Sequence, residues 1–253
     1  MNILSTYFLY FFIYSVIGWI AEMTYCRLYD GKWSWRGFFF GPYCPIYGFG
    51  GLIVAIFLYP ISDKPLLLFG LSMLLTSLLE YLASYLIEKI FNTKLWDYSK
   101  YKFNINGRVC LLNAAEFGIL GILLTYILQP NLEKLTILIP LNIICILDVI
   151  ILVILSIDLT ATLNSFFNFK EKLKILSELT EKIKTINNDK LSEHSIIKEL
   201  SDLRQRLFFK LAGIGKRFIY AFPNLEFKNL NTQLQEFKQD IKNYQKEKSQ
   251  KKE

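Results

Sequence analysis

Four carboxylates stand inside long oily runs, where charge is costly: Glu22, Glu80, Glu116 and Asp148. No Lys or Arg lies at comparable depth in those runs. Each acid must therefore be protonated, paired near a boundary, or turned toward water. Such a set could line a polar path for a cation, a proton or an amine-bearing molecule, or be neutral carboxyls bonded between helices. Arg108 is the nearest natural counter-ion for Glu22 or Glu80. Other chemistry has little to work with. The single histidine, His194, lies in the polar C-terminal part, so the oily part holds no Ser-His-Asp triad, His-zinc site or His-ligated haem. The chain has no G-x-x-x-x-G-K-[ST], no H-E-x-x-H and no nucleophile elbow, so we expect no enzyme of its own, no cofactor and no metal. Cys26, Cys44 and Cys110 fall at one boundary, without His or C-x-x-C spacing. They read as small boundary residues in a reducing compartment rather than a soft-metal site.

The elements that must position these groups are apolar and long. Of 253 residues 53% are hydrophobic and only 20% charged, too oily for an ordinary soluble domain. Charge is unevenly placed: 10 basic and 10 acidic residues lie up to Ser165, against 19 and 12 from Phe166 onward. We therefore divide the chain into an electroneutral oily block, 1–165, and a basic tail, 166–253. Five apolar stretches, 3–25, 38–59, 66–88, 109–129 and 135–157, each approach the ~20 residues that span a bilayer as helix. The expected fold is all-α: a polytopic bundle of five membrane spans with a cytoplasmic helical tail. The first stretch lacks a basic n-region and reads as a retained span.

Orientation follows from the loops. Arg27, Lys32 and Arg36 occupy the first connection, and Lys89, Lys94, Lys100, Lys102 and Arg108 the third. The second has only Lys64, and the expected fourth, Pro130–Lys134, only Lys134. Five crossings put the basic loops and the tail on one side. The positive-inside rule makes that side the cytoplasm, with the N-terminus outside, in a bacterial cytoplasmic membrane.

Two clusters near that side could carry function. Arg36, Gly41, Pro42, Tyr43, Cys44, Pro45, Tyr47 and Gly48 crowd the start of the second stretch. A helix confined between Pro45 and Pro60 covers roughly 21 Å, too short to cross, so the segment is broken, re-entrant or kinked. Irregular backbone at that depth must be buried in protein or line a wet cavity. The other cluster is Trp96, Asp97, Tyr98, Asn104, Asn106, Gly107 and Arg108 in the third connection. There Asn-Gly signals a turn, and Trp and Tyr suit the headgroup layer. The two clusters could pack as one cytoplasmic-face surface.

These strings carry a resemblance. Trp35-Arg36-Gly37 through Gly41-Pro42-Tyr43-Cys44-Pro45-Ile46-Tyr47-Gly48, Glu80-Tyr81-Leu82, Trp96-Asp97-Tyr98-Ser99 and Phe103 through Cys110 resemble the signature of a bacterial family called putative ABC-transporter type IV permeases. Gly18-Trp19 with Glu22 is similar to its first span, and Arg217 with Ala221-Phe222-Pro223-Asn224 is a weaker likeness in the tail. Ala115-Glu116-Phe117 departs from the family pattern, where this place is usually uncharged. The resemblance implies a multi-pass bacterial membrane protein and carries over no substrate and no catalytic residue.

The tail repeats apolar residues at helical spacing: Leu176, Leu179, Ile183, Ile186; then Ile196, Leu200, Leu203, Leu207; then Leu230, Leu234, Phe237, Ile241, Tyr244. Such stripes predict amphipathic helices in a hairpin or small bundle, separated at Asn187-Asn188-Asp189 and restarting at Pro223-Asn224, with coiled-coil-like seams. Phe208–Phe218 mixes aromatics with base and would suit an anionic inner leaflet. Residues after Lys246 should fray. Partners expected are the lipid bilayer, a separate ATPase subunit and a second copy of the chain. Nucleic acid is disfavoured because acids are interspersed among the tail's bases. The leading expectation is a transport-type, permease-like subunit without its own nucleotide site. The alternative is a non-transporting adaptor that recruits a cytoplasmic partner through the tail.

Overall fold

The structure is a computed structural model that describes residues 3–31, 35–188 and 194–250. Lys32 of the first connection and Asp189 of the tail separator lie outside the described residues. The chain is almost wholly helical: α1 (Ile3–Asp30), α2 (Pro45–Ile61), α3 (Pro65–Phe91), α4 (Leu111–Ile137), α5 (Leu141–Asn188), α6 (His194–Ala221) and α7 (Asn231–Gln250). Four two-residue strands form two antiparallel pairs: β1 (Thr93–Lys94) with β4 (Glu226–Phe227), and β2 (Asn104–Ile105) with β3 (Val109–Cys110).

Helices α1, α3, α4 and α5 are long and apolar enough to cross a membrane. The second stretch is shorter. It starts at Pro45 rather than Phe38, and Pro45–Ile61 covers only about 25 Å as helix. Leu74, Leu78 and Leu82 on α3, and Val149, Leu152 and Val153 on α5, are exposed along helix faces with no covering element. An oily outer belt of this kind suits lipid tails rather than water.

The first four helices form two hairpins, α1–α2 and α3–α4, built alike. In the first, Gly48 packs against Phe11 and Ser15, and Gly51 against Tyr14. In the second, Gly118 packs against Phe69 and Gly121 against Ser72. Both use a Gly-x-x-Gly pair to bring helix backbones close, as van der Waals packing in lipid requires. Each returning helix then contains a five-residue π-turn, Val54–Leu58 or Leu124–Leu128, followed two residues later by a proline, Pro60 or Pro130. Proline lacks an N–H and its ring clashes with the carbonyl four residues back, and a wide turn just before it relieves both demands.

That device corrects one expected boundary. The connection placed at Pro130–Lys134 is helical; α4 runs to Ile137 and the turn falls at Leu138–Pro140. The last oily run is corrected too. It begins as helix at Leu141 and continues unbroken to Asn188, so the division at Ser165/Phe166 lies inside a single helix.

The tail folds back on that rod. Phe166, Phe169 and Leu173 of α5 share a core with Phe208, Leu211 and Phe218 of α6, Phe227 of β4, and Leu234 and Phe237 of α7. Of the stretch expected to face the inner leaflet, Phe208, Leu211 and Phe218 are buried in this core, while Phe209 stays exposed. Helix α7 is described to Gln250, and residues 251–253 lie outside the described ones. The side chain of Ile196 in the second stripe also lies outside the description.

Candidate functional site

The segment between α1 and α2 turns inward. Gly37, at φ +98°, takes a conformation that L side chains rarely adopt. The Cys44 N–H donates to the Ser15 carbonyl at 2.9 Å, so the loop reaches halfway along α1 before α2 begins. Trp19 Nε1 donates to the Arg36 carbonyl at 3.0 Å. Asp158 of α5 holds the bend: it accepts from Phe40 N–H (2.9 Å), Gly41 N–H (2.7 Å), the Tyr43 hydroxyl and Thr162 Oγ1 (2.9 Å). Two backbone donors that a helix or strand would otherwise satisfy are paired by one carboxylate. Sequence reasoning missed Asp158 because it stands one residue past the expected end of the last span.

Two cavities adjoin within the bundle. That nearer the tail is about 430 Å³, with Glu22 of α1, Tyr47 of α2, Glu80 of α3 and Trp96 in its wall. Its far neighbour is about 370 Å³ and is lined by Tyr14, Gly51, Thr76, Phe117 and Gly121. Ile46 and Tyr47 belong to both walls and form the partition. The Tyr47 hydroxyl donates to Glu22 Oε1 at 2.7 Å. Glu80 is 5% exposed and better satisfied: Asn113 Nδ2 reaches both its oxygens at 2.9 Å and Tyr98 donates at 3.1 Å.

Beyond the second cavity, at the end away from the tail, is a polar network that sequence reasoning also missed. Tyr14 donates to Gln129, whose Nε2 donates to Glu133 Oε1 at 2.8 Å. Tyr59 reaches Glu133 Oε2 at 3.3 Å, and Tyr10 and Thr136 share a bond of 2.8 Å. Its only signal was polar residues beside Pro130, read as a loop.

The profile of the family described as Putative ABC-transporter type IV matches residues 9–163. The chain belongs to this family. No curated protein matches, and no solved structure does. The family region contains both hairpins, the inward loop, its Asp158 anchor and the partition at Tyr47. The tail lies beyond it, yet closes the same cavity with Phe166, Ala221 and Phe222.

Within the family region the third connection is a small structure of its own. Asn106 (φ +54°) and Gly107 (φ +68°) are the central residues of a turn closed by Arg108 N–H to the Ile105 carbonyl at 3.0 Å, within the three-residue loop between the paired Ile105 and Val109. Asn104 Oδ1 accepts from Gly107 N–H at 3.1 Å, and Asn106 Nδ2 donates to the Tyr81 hydroxyl at 2.9 Å. Ser99 donates to Asp97 through Oγ (2.6 Å) and N–H (3.0 Å), which holds that carboxyl below its ordinary range. Trp96 Nε1 donates to the Arg108 carbonyl at 3.1 Å. From this cluster Trp96 lines the cavity together with Arg36, Cys44, Pro45 and Tyr47, and Tyr98 reaches the wall through its bond to Glu80. Gly41, Pro42, Tyr43 and Gly48 shape or pack the loop behind the wall.

Arg108 pairs elsewhere than expected. It meets Glu88, not Glu22 or Glu80, and lies over the rings of Tyr81 and Tyr85. Glu88 also pairs with Lys228 of the tail at 2.9 Å, beside the β1–β4 ladder where Thr93 faces Phe227. The tail is also fastened by Arg36 Nη1 to the Ala221 carbonyl (2.8 Å), Arg217 Nη2 to the Phe38 carbonyl (2.7 Å) and Lys170 Nζ to the Phe91 carbonyl (2.7 Å). Of the four acids, Glu22 and Glu80 meet in one cavity, and only Glu80 is buried. Glu116 and Asp148, half-buried like Glu22, line neither cavity. Cys44 and Cys110 immediately precede α2 and α4 without a side-chain capping bond, and Cys26 accepts from Arg36 Nε at 2.7 Å.

Proposed function

We propose that the chain is a permease-like subunit of a bacterial cytoplasmic-membrane transport system. The observation that carries this reading is the pair of adjoining cavities sharing Ile46 and Tyr47, between two hairpins of like construction. Cavities at a repeat interface, beside irregular backbone at mid-depth, are where transport proteins hold cargo. In this reading α2 makes a fifth, thinned crossing, completed by the inward loop. The N-terminus then lies outside and the tail in the cytoplasm, as the basic loops require. Glu22 and Glu80 face the cargo, and the carboxyl–tyrosine contact at Tyr47 divides the inner chamber from the outer.

Without a Walker A loop the chain takes its energy from elsewhere, and the family description points to a separate ATPase chain. The tail offers that partner a fixed platform. It is joined to the bundle by a continuous helix, a strand pair and the Glu88–Lys228 ion pair, so movement of the tail would be felt at the chamber mouth. Purification in mild detergent tests this. We expect a nucleotide-hydrolysing chain to co-purify, and the complex to drive ATP-dependent flux in proteoliposomes. Absence of both would sink the proposal.

A further inference from the structure

We propose that the tail-side chamber binds a lipophilic organic cation, an ammonium with an aromatic or aliphatic body, with the Glu22 carboxylate as its counter-ion. The inference rests on the reading of that cavity as a cargo chamber and supplies the chemical class of the cargo.

Charge comes first. Among the described residues, no ion pair involves Glu22 or Glu80. Glu80 already receives three hydrogen bonds, whereas Glu22 receives one, from Tyr47. Glu22 is thus the acid with acceptor capacity to spare, since a carboxylate has about four lone-pair sites. Glu22 is half-buried, and a carboxylate partly withdrawn from water beside an apolar wall is disfavoured without a cation, so a cationic guest offsets that cost. The wall's one arginine is committed at the rim, where Arg36 donates to the Ala221 carbonyl and to Cys26 Sγ. Its charge fastens the tail.

The rest of the wall selects the guest's body. Phe38, Phe39, Phe91, Trp96, Phe166 and Phe222 line the chamber, which is otherwise mostly aliphatic. Aromatic faces attract an organic cation, more so where water is excluded. A volume of about 430 Å³ lies within the usual range for small-molecule sites, roughly 300–1,000 Å³. A hydrated metal ion would find too few oxygens here, because metals such as calcium take about six to eight. A bare anion would meet Glu22 and ring faces, both repulsive.

Two ions of nearly equal shape and opposite charge make the test: tetraphenylphosphonium and tetraphenylborate. Saturable binding of each to the full chain in nanodiscs is measured, with protein-free discs subtracted. We expect saturable phosphonium binding, at least tenfold weaker in Glu22→Gln, unchanged in Glu116→Gln, and no saturable borate binding. Ala83→Phe, which narrows the chamber and leaves Glu22 in place, should also lose phosphonium, so the result survives if Glu22→Gln fails to fold. Equal binding of both ions, no saturable phosphonium binding, or full binding by Glu22→Gln overturns the proposal. Phosphonium binding without ATP-driven flux of any compound would sink only the transport reading. Flux of an anionic or neutral cargo without phosphonium binding would sink only the cation.

Discussion

The two hairpins share a plan and differ in one respect. Both close on a Gly-x-x-Gly pair, both carry a π-turn and a proline, and both start the returning helix after a cysteine. In the second, the connection stays at the bundle's end, satisfied by its own Asn-Gly turn and Asx contacts, and α4 is long enough to cross. In the first, the connection turns inward to the level of Ser15, and α2 is correspondingly short. The space given up by a shortened α2 is where the tail-side chamber lies. A repeated element becomes a site when one copy is foreshortened and its backbone is paired from outside, here by Asp158.

The largest expected effect comes from removing that outside support. Asp158→Ala removes the acceptor of the Gly41 and Phe40 N–H groups, of which the exposed Phe40 can turn to water, and should destabilise the protein by roughly 1–3 kcal/mol, read as a lowered unfolding midpoint in nanodiscs. Cys44 should alkylate faster as the loop loosens. Loss of stability below ~1 kcal/mol would mean that the loop does not depend on α5.

Glu88→Gln should cost less. It weakens the pairs to Arg108 and Lys228, but Lys228 is half-exposed and that contact is screened by solvent. Limited proteolysis checks it: cleavage near Glu226–Phe227 should accelerate while the two hairpins stay intact. Uniform acceleration everywhere would contradict a role confined to tail docking.

The glycines sharpen the contrast further. A Cβ at Gly37 would meet Cys44 Sγ at 2.9 Å and face φ +98°, while one at Gly107 would meet the Asp97 carboxylate at φ +68°. Each alanine variant should lose about 1–2 kcal/mol. Only Gly37→Ala should also alter phosphonium binding, because Gly37 lines the chamber and Gly107 does not. Equal effects of both on binding would erase the distinction between the hairpins.

Much of this was legible in the amino-acid order. Four long oily helices follow from run length, the Asn106-Gly107 turn from its residue pair, and the tail's packing from stripes such as Leu230, Leu234, Phe237 and Ile241. The misreadings have physical causes. Proline usually ends a helix, which marks Pro130 as a stop, yet a π-turn lets α4 pass through it. Arg108 was assigned to Glu22 or Glu80 by depth alone, and periodicity could not show that Glu88 lay nearer. The basic aromatic stretch at Phe208–Phe218 suits an interface by composition, yet Phe208 and Phe218 point into a core. Their partners, Phe169 and Phe237, lie on other helices, a pairing that no local pattern reveals. Of the paired acids, depth singled out Glu22 and Glu80 but equally Glu116 and Asp148; helix packing made the choice.

Adjacent residues on α3 offer the most direct test, because Leu82 faces outward and Ala83 lines the chamber. In a background with Cys26, Cys44, Cys110 and Cys145 replaced by alanine, Ala83→Cys and Leu82→Cys are labelled with a membrane-impermeant maleimide from each side in turn. The expected result is modification of Ala83→Cys from the tail side, at least tenfold faster than Leu82→Cys, and little from the other side. Equal rates at the two positions, or labelling of Ala83→Cys from the opposite side alone, would mean that no aqueous chamber opens between these hairpins toward the tail.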